Sequence, residues 1–244
     1  PIKGRDYVIT VDVARGTVKD YSAFVVFDVS QMPYRIVAKY RNNEIKPLVF
    51  PQIIHKVATS YNQAEVLIEV NDIGGQVADT MQYDLEYDNL IMVNQRGRSG
   101  QIAGTGFSGK QSQLGLRTTK ATKKIGCSNL KTMIETDKFI IQDFDIIAEL
   151  STYILKGKEK YEAEEGSSDD LVTCLVMFAW LSNQTYFKEL TDQDIRARLV
   201  DEQQNMLEQD MAPFGFIDDG LNEAESFKDP YGTTWSPVKV KRGW

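Results

Sequence analysis

Runs of alternating and continuous apolar residues divide the chain into short elements. Tyr7 to Val13 and Ala23 to Val29 have the β-branched and aromatic character of strands, joined by the polar segment Ala14 to Asp20. Tyr34 to Tyr40 is a third strand candidate, following the turn-like Ser30-Gln31-Met32-Pro33. Three strands on short connections predict an antiparallel meander. Pro47 to Tyr61 carries Phe50, Ile53, Ile54, Val57 and Ala58 at helical spacing with proline near its start. Glu65 to Glu69 reads as a short buried strand. Asn71-Asp72-Ile73-Gly74-Gly75 then turns into a helix reaching about Tyr83, and Leu90 to Val93 is another strand.

The glycine-rich stretch Gly97 to Gly115 fits a loop or an exposed β-hairpin, and Thr119 to Glu135 a helix. Asp143 or Asp145 can cap a helix running to Leu155, and Lys156 to Ser168 reads as a polar loop. Ser168 or Asp169 can cap the apolar helix Leu171 to Leu181. From about Thr185 the chain turns helical and charged, as in Asp192 to Gln209, and ends in a tail rich in Gly, Pro and aromatics. A meander that continues through helical crossovers predicts an α/β fold: a mixed sheet, antiparallel then parallel, with helices on its faces. The expected division is a domain over residues 1–185 and an extension with an acidic tail over 186–244.

Three acidic positions stand out against this pattern. Asp12 ends the first strand, Glu69 ends the run Val66-Leu67-Ile68, and Asp169-Asp170 opens the apolar helix. A carboxylate at the tip of a buried strand is costly to desolvate unless something positive pairs with it. No Lys or Arg lies within two residues of any of them, and Arg15 is three beyond Asp12. Carboxylates gathered around a divalent cation would resolve this. Hard oxygen ligands suit Mg²⁺ or Mn²⁺, and two such ions about 4 Å apart can activate a water and stabilise the leaving oxygen of a phosphodiester. The plain alternative is a strand end at Asp12 and a helix cap at Asp169.

Composition narrows the field. At 244 residues the chain holds one large domain, or one domain and an appendage. Its apolar stretches fall well short of the roughly 18 residues of a membrane span, and no signal-like segment opens it. It starts with Pro1 rather than Met, which suggests a fragment. The two cysteines, Cys127 and Cys174, cannot alone form a zinc cluster, and Cys174 falls within an apolar helix as a core residue would. The single histidine, His55, reads as a helix-surface residue. A net charge of −7 argues against nucleic acid until its distribution is read. Arg96, Arg98, Lys110, Arg117, Lys120, Lys123, Lys124 and Lys131 follow one another with no acidic residue between Arg96 and Lys131. Such a stretch, interleaved with glycines, suits sequence-independent contact with DNA phosphates. Gly104 to Lys110 has the spacing of a phosphate-binding loop, but Gln111 stands where a magnesium-holding Ser or Thr is needed. The lack of a leading strand further disfavours an ATP site.

The chain resembles the RNase H-like nucleases, and among them the C-terminal nuclease domain of tailed-phage large terminases, especially the T-even-like branch. The matching pieces are Val11-Asp12-Val13-Ala14 with Asp20-Tyr21-Ser22-Ala23, and Leu67-Ile68-Glu69-Val70-Asn71. Leu116-Arg117-Thr118-Thr119 with Lys123-Lys124, and Gly166 to Val172, complete the set. The resemblance covers about residues 5–185. It implies an Mg²⁺- or Mn²⁺-dependent endodeoxyribonuclease, using two ions, that cuts concatemeric viral DNA in headful packaging with little sequence preference. Asp12, Glu69 and one of Asp169 or Asp170 would be the ligands. Related resolvases carry a histidine or acid three residues before the last ligand, a spacing that selects Asp170 and puts Ser167 in the histidine position. Asp169 becomes a cap or supporting residue, and Asp20 a further nearby acid. The implied partners are double-stranded DNA, an N-terminal packaging ATPase, a portal ring and a small terminase subunit. The implied location is the host cytoplasm at the procapsid portal, outside the finished virion. A junction resolvase on the same fold, and a catalytically silent DNA-binding or motor-docking module, are the rivals.

Overall fold

The computed structural model describes residues 1–16, 20–95, 101–104, 112–157, 160–191 and 226–235. Its centre is a five-stranded sheet in the order β4-β1-β2-β3-β8. The strands are β1 (Tyr7–Asp12), β2 (Ser22–Asp28), β3 (Tyr34–Asn42), β4 (Glu65–Ile68) and β8 (Phe139–Ile140). β1, β2 and β3 form the expected antiparallel meander, with Asp12 opposite Ala23. β4 joins β1 in parallel, Val11 opposite Ile68, and β8 joins β3 in parallel. The two-residue β8 is too short to leave a periodic signal in the sequence.

Both faces of this sheet are covered, so side-chain alternation sorts its residues between two cores. Ile9, Val11, Phe24 and Val26 face α1 (Phe50–Ser60) and α2 (Gly74–Asp79), which continues as a π-helical turn, Thr80–Asp84. Val8, Val25, Phe27 and Leu67 face α5 (Asp170–Ser182), which is buried on all sides from Asp170 to Leu181. Phe178 of α5 stacks on Phe27 with centroids 4.0 Å apart. Burial of one such ring contributes roughly 1.5–3 kcal/mol. Behind α5 lies α3 (Lys120–Glu135), begun by a reciprocal Thr119–Thr122 capping box.

Three further strands, β5 (Met92–Gln95), β6 (Gln101–Gly104) and β7 (Ser112–Leu114), form a sheet with β5 in the middle. This resolves the glycine-rich stretch in favour of strands at its described ends. Residues 96–100 and 105–111, with Arg96, Arg98, Lys110 and most of the loop-like motif, lie outside the described residues. The segment around Asp143 departs from expectation. Asp143 does cap α4 (Phe144–Ser151), accepting the Ile146 N–H, but the helix stops there. Tyr153–Lys156 (β9) and Lys160–Ala163 (β10) pair as an antiparallel hairpin, where a helix end and a polar loop were expected. Cross-strand contacts explain it: Tyr153 stacks with Tyr161, and Lys156 pairs with Glu162 at 3.1 Å. Cys127 and Cys174 are free, and Cys174 is buried in the core.

The chain divides into the compact units Pro1–Ala197 and Arg198–Trp244. Residues 185–191 are helical, and Phe187 joins the core beside Phe178. In the second unit the described part is a small hairpin, β11 (Phe227–Lys228) with β12 (Thr234–Trp235). Its turn is held by Asp229 Oδ1, which accepts the N–H groups of Tyr231 and Thr233.

The crossing of α3 and α5 is close because Gly126 has no side chain: a Cβ there would lie 2.5 Å from the Val176 carbonyl oxygen. Gly126→Ala is therefore expected to cost about 1–3 kcal/mol as an overpacking change. In a domain of this size that lowers the melting temperature by about 2–4 °C per kcal/mol, measurable by calorimetry; an unchanged melting temperature would contradict the packing.

Candidate metal centre

Strand alternation aims Asp12 and Glu69 at one face. Asp12 follows Val8 and Thr10 on the α5 side of β1, and Glu69 follows Leu67 on the same side of the sheet. Thr10 Oγ1 donates to the Cys174 carbonyl at 2.9 Å, fixing α5 against β1 at that level. Two residues along the strand and four along the helix are each about 6–7 Å. That pairing therefore sets Asp12, at the end of β1, beside Asp170, in the first turn of α5.

Glu69 and Asp170 both act on Asp12. Burial pushes the Asp12 carboxyl well above the usual range, and a hydrogen bond and charge from Glu69 and the charge of Asp170 add to it; Lys123 of α3 pulls the other way. Asp12 keeps some contact with solvent at its edge. The burial that counts is that of its carboxyl, which is ringed by other acids and the α5 core. Asp170 is also raised by burial, against the Tyr21 backbone N–H and Arg41, which favour its charged form. Glu69 is oriented by Asn71, whose Nδ2 donates to Glu69 Oε1 at 2.9 Å and to the Thr118 carbonyl at 3.0 Å. Gly74 makes room for this turn: a Cβ there would stand 1.8 Å from the Glu69 carbonyl oxygen.

Other expected residues have mixed fates. Asp169 occupies the N-cap position of α5, but its side chain makes no capping hydrogen bond. The cap expected of Ser168 or Asp169 comes instead from Glu149 of α4, whose Oε2 accepts the N–H groups of Leu171 (2.9 Å) and Val172 (3.2 Å). A carboxylate from a separate helix has satisfied the orphan donors that a local cap would normally take. Asp20 is exposed, next to Tyr21. Lys120, Lys124 and Arg117 are exposed, and Arg117 lines a surface cleft of about 390 Å³ with Val70, Tyr83 and Gln113. Lys123 is the basic residue of α3 whose charge reaches Asp12.

Sequence reading missed Arg41, Tyr21 and Glu149. Arg41, next to last in β3, stacks on the Tyr21 ring at 3.9 Å, and lies 3.3 Å from Glu149 and 3.6 Å from Asp170. Tyr21 donates its backbone N–H to Asp170 Oδ1 at 3.3 Å. No local pattern marks these residues, because the contacts join segments far apart in the chain. Burial raises the Glu149 carboxyl to about 7, opposed by the Val172 N–H and Arg41.

In kind and charge the donors fit a hard divalent cation: three carboxyls, with Asp12 raised by the charges of Glu69 and Asp170. They do not form a closed cage. Among the described residues no group of three acidic, His or Cys side chains is drawn together tightly enough to hold an ion. Glu69 is held by Asn71 and Asp170 by the Tyr21 amide, each through one oxygen.

A meander extended by parallel strands, with acids at the ends of β1 and β4 and at the start of a helix crossing the face, defines an RNase H-like fold. The solved structures agree. The large terminase nuclease of the thermophilic phage G20c with bound magnesium is similar at 19% identity and a TM-score of 0.56, over 75% of this chain and 84% of that one. The same nuclease with bound cobalt matches at 19% identity and 0.53, over 74% and 82%. The large terminase nuclease domain of Thermus phage P74-26 matches at 18% and 0.53, over 74% and 80%. At these identities the likeness establishes the fold. The chain belongs to the terminase RNaseH-like domain family, whose model matches residues 9–180.

The raised carboxyls make a pH prediction. Asp12 and Glu149 bind protons more tightly folded than unfolded, so the stability they contribute is full below their unfolded values of about 4. It is lost as pH rises, through about 7 for Glu149. The depressed carboxyls Asp72, Asp143 and Glu162 titrate below this window. Without divalent metal, the melting temperature should therefore fall between about pH 5 and 8, and Mg²⁺ should reverse the fall. A metal-free melting temperature that rises across that window would refute this electrostatic picture.

Proposed function

We propose that this chain is the nuclease domain of a phage large terminase: a divalent-metal-dependent endodeoxyribonuclease that cuts concatemeric viral DNA during genome packaging. The observation that carries this reading is the convergence of Asp12, Glu69 and Asp170 on one face, with Asp12 held in an acid-rich, buried setting. Membership in the terminase RNaseH-like family supports it. So do similar nucleases solved with bound magnesium and cobalt.

In the proposed site Asp12, Glu69 and Asp170 bind Mg²⁺ or Mn²⁺, with two ions in the full arrangement. Bound there, the metal would supply an activated water and charge for the departing oxygen of the phosphodiester. The residues of this chain do the rest. Asn71 and Gly74 set the Glu69 carboxylate, and the first turn of α5 sets Asp170. Lys123, with Arg117, Lys120 and Lys124, and with Arg96, Arg98 and Lys110 outside the described residues, would hold the DNA backbone by charge. Such contacts carry no sequence information, so cutting is proposed to have little sequence preference, as headful cleavage requires. Asp169 and Asp20 are supporting acids. Products would carry 3′-hydroxyl and 5′-phosphate ends. The nuclease domain is assigned to residues 1–185, with 186–244 an extension. In the packaging motor it would work with an ATPase domain, a portal ring and a small terminase subunit, at the procapsid portal in the host cytoplasm.

Incubation of plasmid DNA with the chain tests the reading. Cutting is expected with Mg²⁺ or Mn²⁺ and none with EDTA. Asp12→Asn should lower the rate by more than about 100-fold, beyond the usual loss for a residue outside the ligand set. Asp170→Asn should match it, while Asp169→Asn keeps most activity. No cutting by the unaltered chain would favour a silent docking module, and selective cutting of four-way junctions a resolvase.

A further inference from the structure

One guanidinium stands between two acids at the start of α5. Arg41 Nη1 is 3.3 Å from Glu149 Oε1, and Nη2 is 3.6 Å from Asp170 Oδ2. Its Nε is buried without a hydrogen-bond partner, so the head group is held by its two terminal nitrogens and by the face of Tyr21. The two acids differ in their other partners. Glu149 is 6% exposed and spends Oε2 on the amides of Leu171 and Val172. Asp170 has one long hydrogen bond, from the Tyr21 amide to Oδ1.

The distances rank the two contacts. Neither approach is a hydrogen bond: Glu149 Oε1 is buried without a hydrogen-bond partner, and Asp170 Oδ2 stands farther from the guanidinium, so both act through space and the nearer acid has the stronger hold. A cation arriving at Asp170 Oδ2 therefore breaks no hydrogen bond with Arg41. Glu149 Oε1 is buried with the Arg41 guanidinium beside it, and its charged form is costly there without that cation. If Glu149 lost its charge, the guanidinium would have Asp170 as its remaining acidic neighbour at this corner. It would then close on the oxygen that a metal needs.

We propose that Glu149 is a positioning residue for the metal site: it holds the Arg41 guanidinium off Asp170 and fixes the first turn of α5, so that the Asp170 carboxylate stays open to a divalent cation. The inference rests on the reading of Asp12, Glu69 and Asp170 as metal ligands, and it adds two residues outside that set. Arg41 is the element through which Glu149 acts. It ties the end of β3 to the helix start while leaving Asp170 loosely held.

Mn²⁺ binding to the 244-residue chain, read from the electron paramagnetic resonance of free Mn²⁺, tests this, with metal-free melting temperatures recorded in parallel. Glu149→Gln keeps an oxygen that can accept the Leu171 and Val172 amides but releases Arg41. It is expected to weaken Mn²⁺ binding about tenfold. The double variant R41Q/E149Q removes the released cation and is expected to bind within about threefold of the unaltered chain, against that tenfold loss. A purely structural Glu149 would lower the melting temperature of Glu149→Gln and leave Mn²⁺ affinity unchanged; that result overturns the proposal. A double variant as weak as Glu149→Gln overturns it too. Should Glu149→Gln not fold, Arg41→Gln carries the test alone: binding as tight as in the unaltered chain or tighter is expected, and weaker binding overturns it. The site reading fails separately, if the unaltered chain binds no Mn²⁺. If the unaltered chain binds, Asp12→Asn abolishes binding and Glu149→Gln changes nothing, only the present inference falls.

Discussion

Helix α5 lies buried across the β1–β2 face, and the hydrogen bond from Thr10 Oγ1 to the Cys174 carbonyl sets the level at which it does so. The acidic site inherits its geometry from that register. With α5 fixed there, its first turn must lie near the end of β1, and Asp170 must stand near Asp12. The apolar contacts that hold α5, such as Phe178 on Phe27 and its close crossing with α3 at Gly126, are remote from the acids. They nevertheless hold the carboxyls close against their own repulsion. Two like charges about 4 Å apart at an effective dielectric of about 20 repel by about 4 kcal/mol. Set against a typical net stability of about 5–15 kcal/mol, that is a large internal stress. A proton retained to higher pH would relieve part of it, the direction in which burial and Glu69 push the Asp12 carboxyl. A divalent cation would relieve more.

The surrounding residues are arranged to keep each acid oriented without neutralising it. Asn71 is a neutral donor and turns Glu69 without cancelling its charge. Tyr21 does the same for Asp170 through a backbone amide. Lys123 reaches Asp12 through space by its charge, and among the described residues no ion pair to Asp12 competes with a metal. Where a full positive charge does come close, at Arg41, a second acid shares it. In the proposed metal site this pattern would leave the acids available to a cation, with Arg41 shared between Asp170 and Glu149.

The parts of this design that are local in the chain were legible in the sequence. The apolar runs Tyr7 to Val11 and Val66 to Ile68 identify the strands, and the acid that closes each run stands at its end. The apolar run after Asp170 identifies a helix buried on all sides. The parts that depend on contacts between distant segments were not legible. Arg41 looks like any charged residue at a strand end, and Glu149 like any exposed residue on a short helix; only the folding of β3 and α4 against the start of α5 gives them partners. The same limit misassigned the α5 cap. A sequence reader offers the role to the adjacent Ser168 or Asp169, but the amides of Leu171 and Val172 take the acceptor that tertiary packing presents. The β9–β10 hairpin fails similarly, since its stabilising pairs, Tyr153 with Tyr161 and Lys156 with Glu162, exist only across strands.

Asp169 and Asp170, which spacing leaves close, differ in how packing holds them. The residues are adjacent, and either carboxylate could precede a helix. Asp170 is the one whose side chain is buried, and it receives the Tyr21 amide and faces Arg41. Asp169 is half-buried, makes no cap, and acts on Asp170 mainly as a like charge. Because Glu149 caps α5 from outside, neither residue is needed for that task. Asp170 can then face the acids on β1 and β4, and Asp169 can raise the negative potential beside it. Relocating the cap to α4 thus frees the helix start to present a carboxylate, and makes the orientation of that carboxylate depend on a glutamate twenty-one positions earlier in the chain.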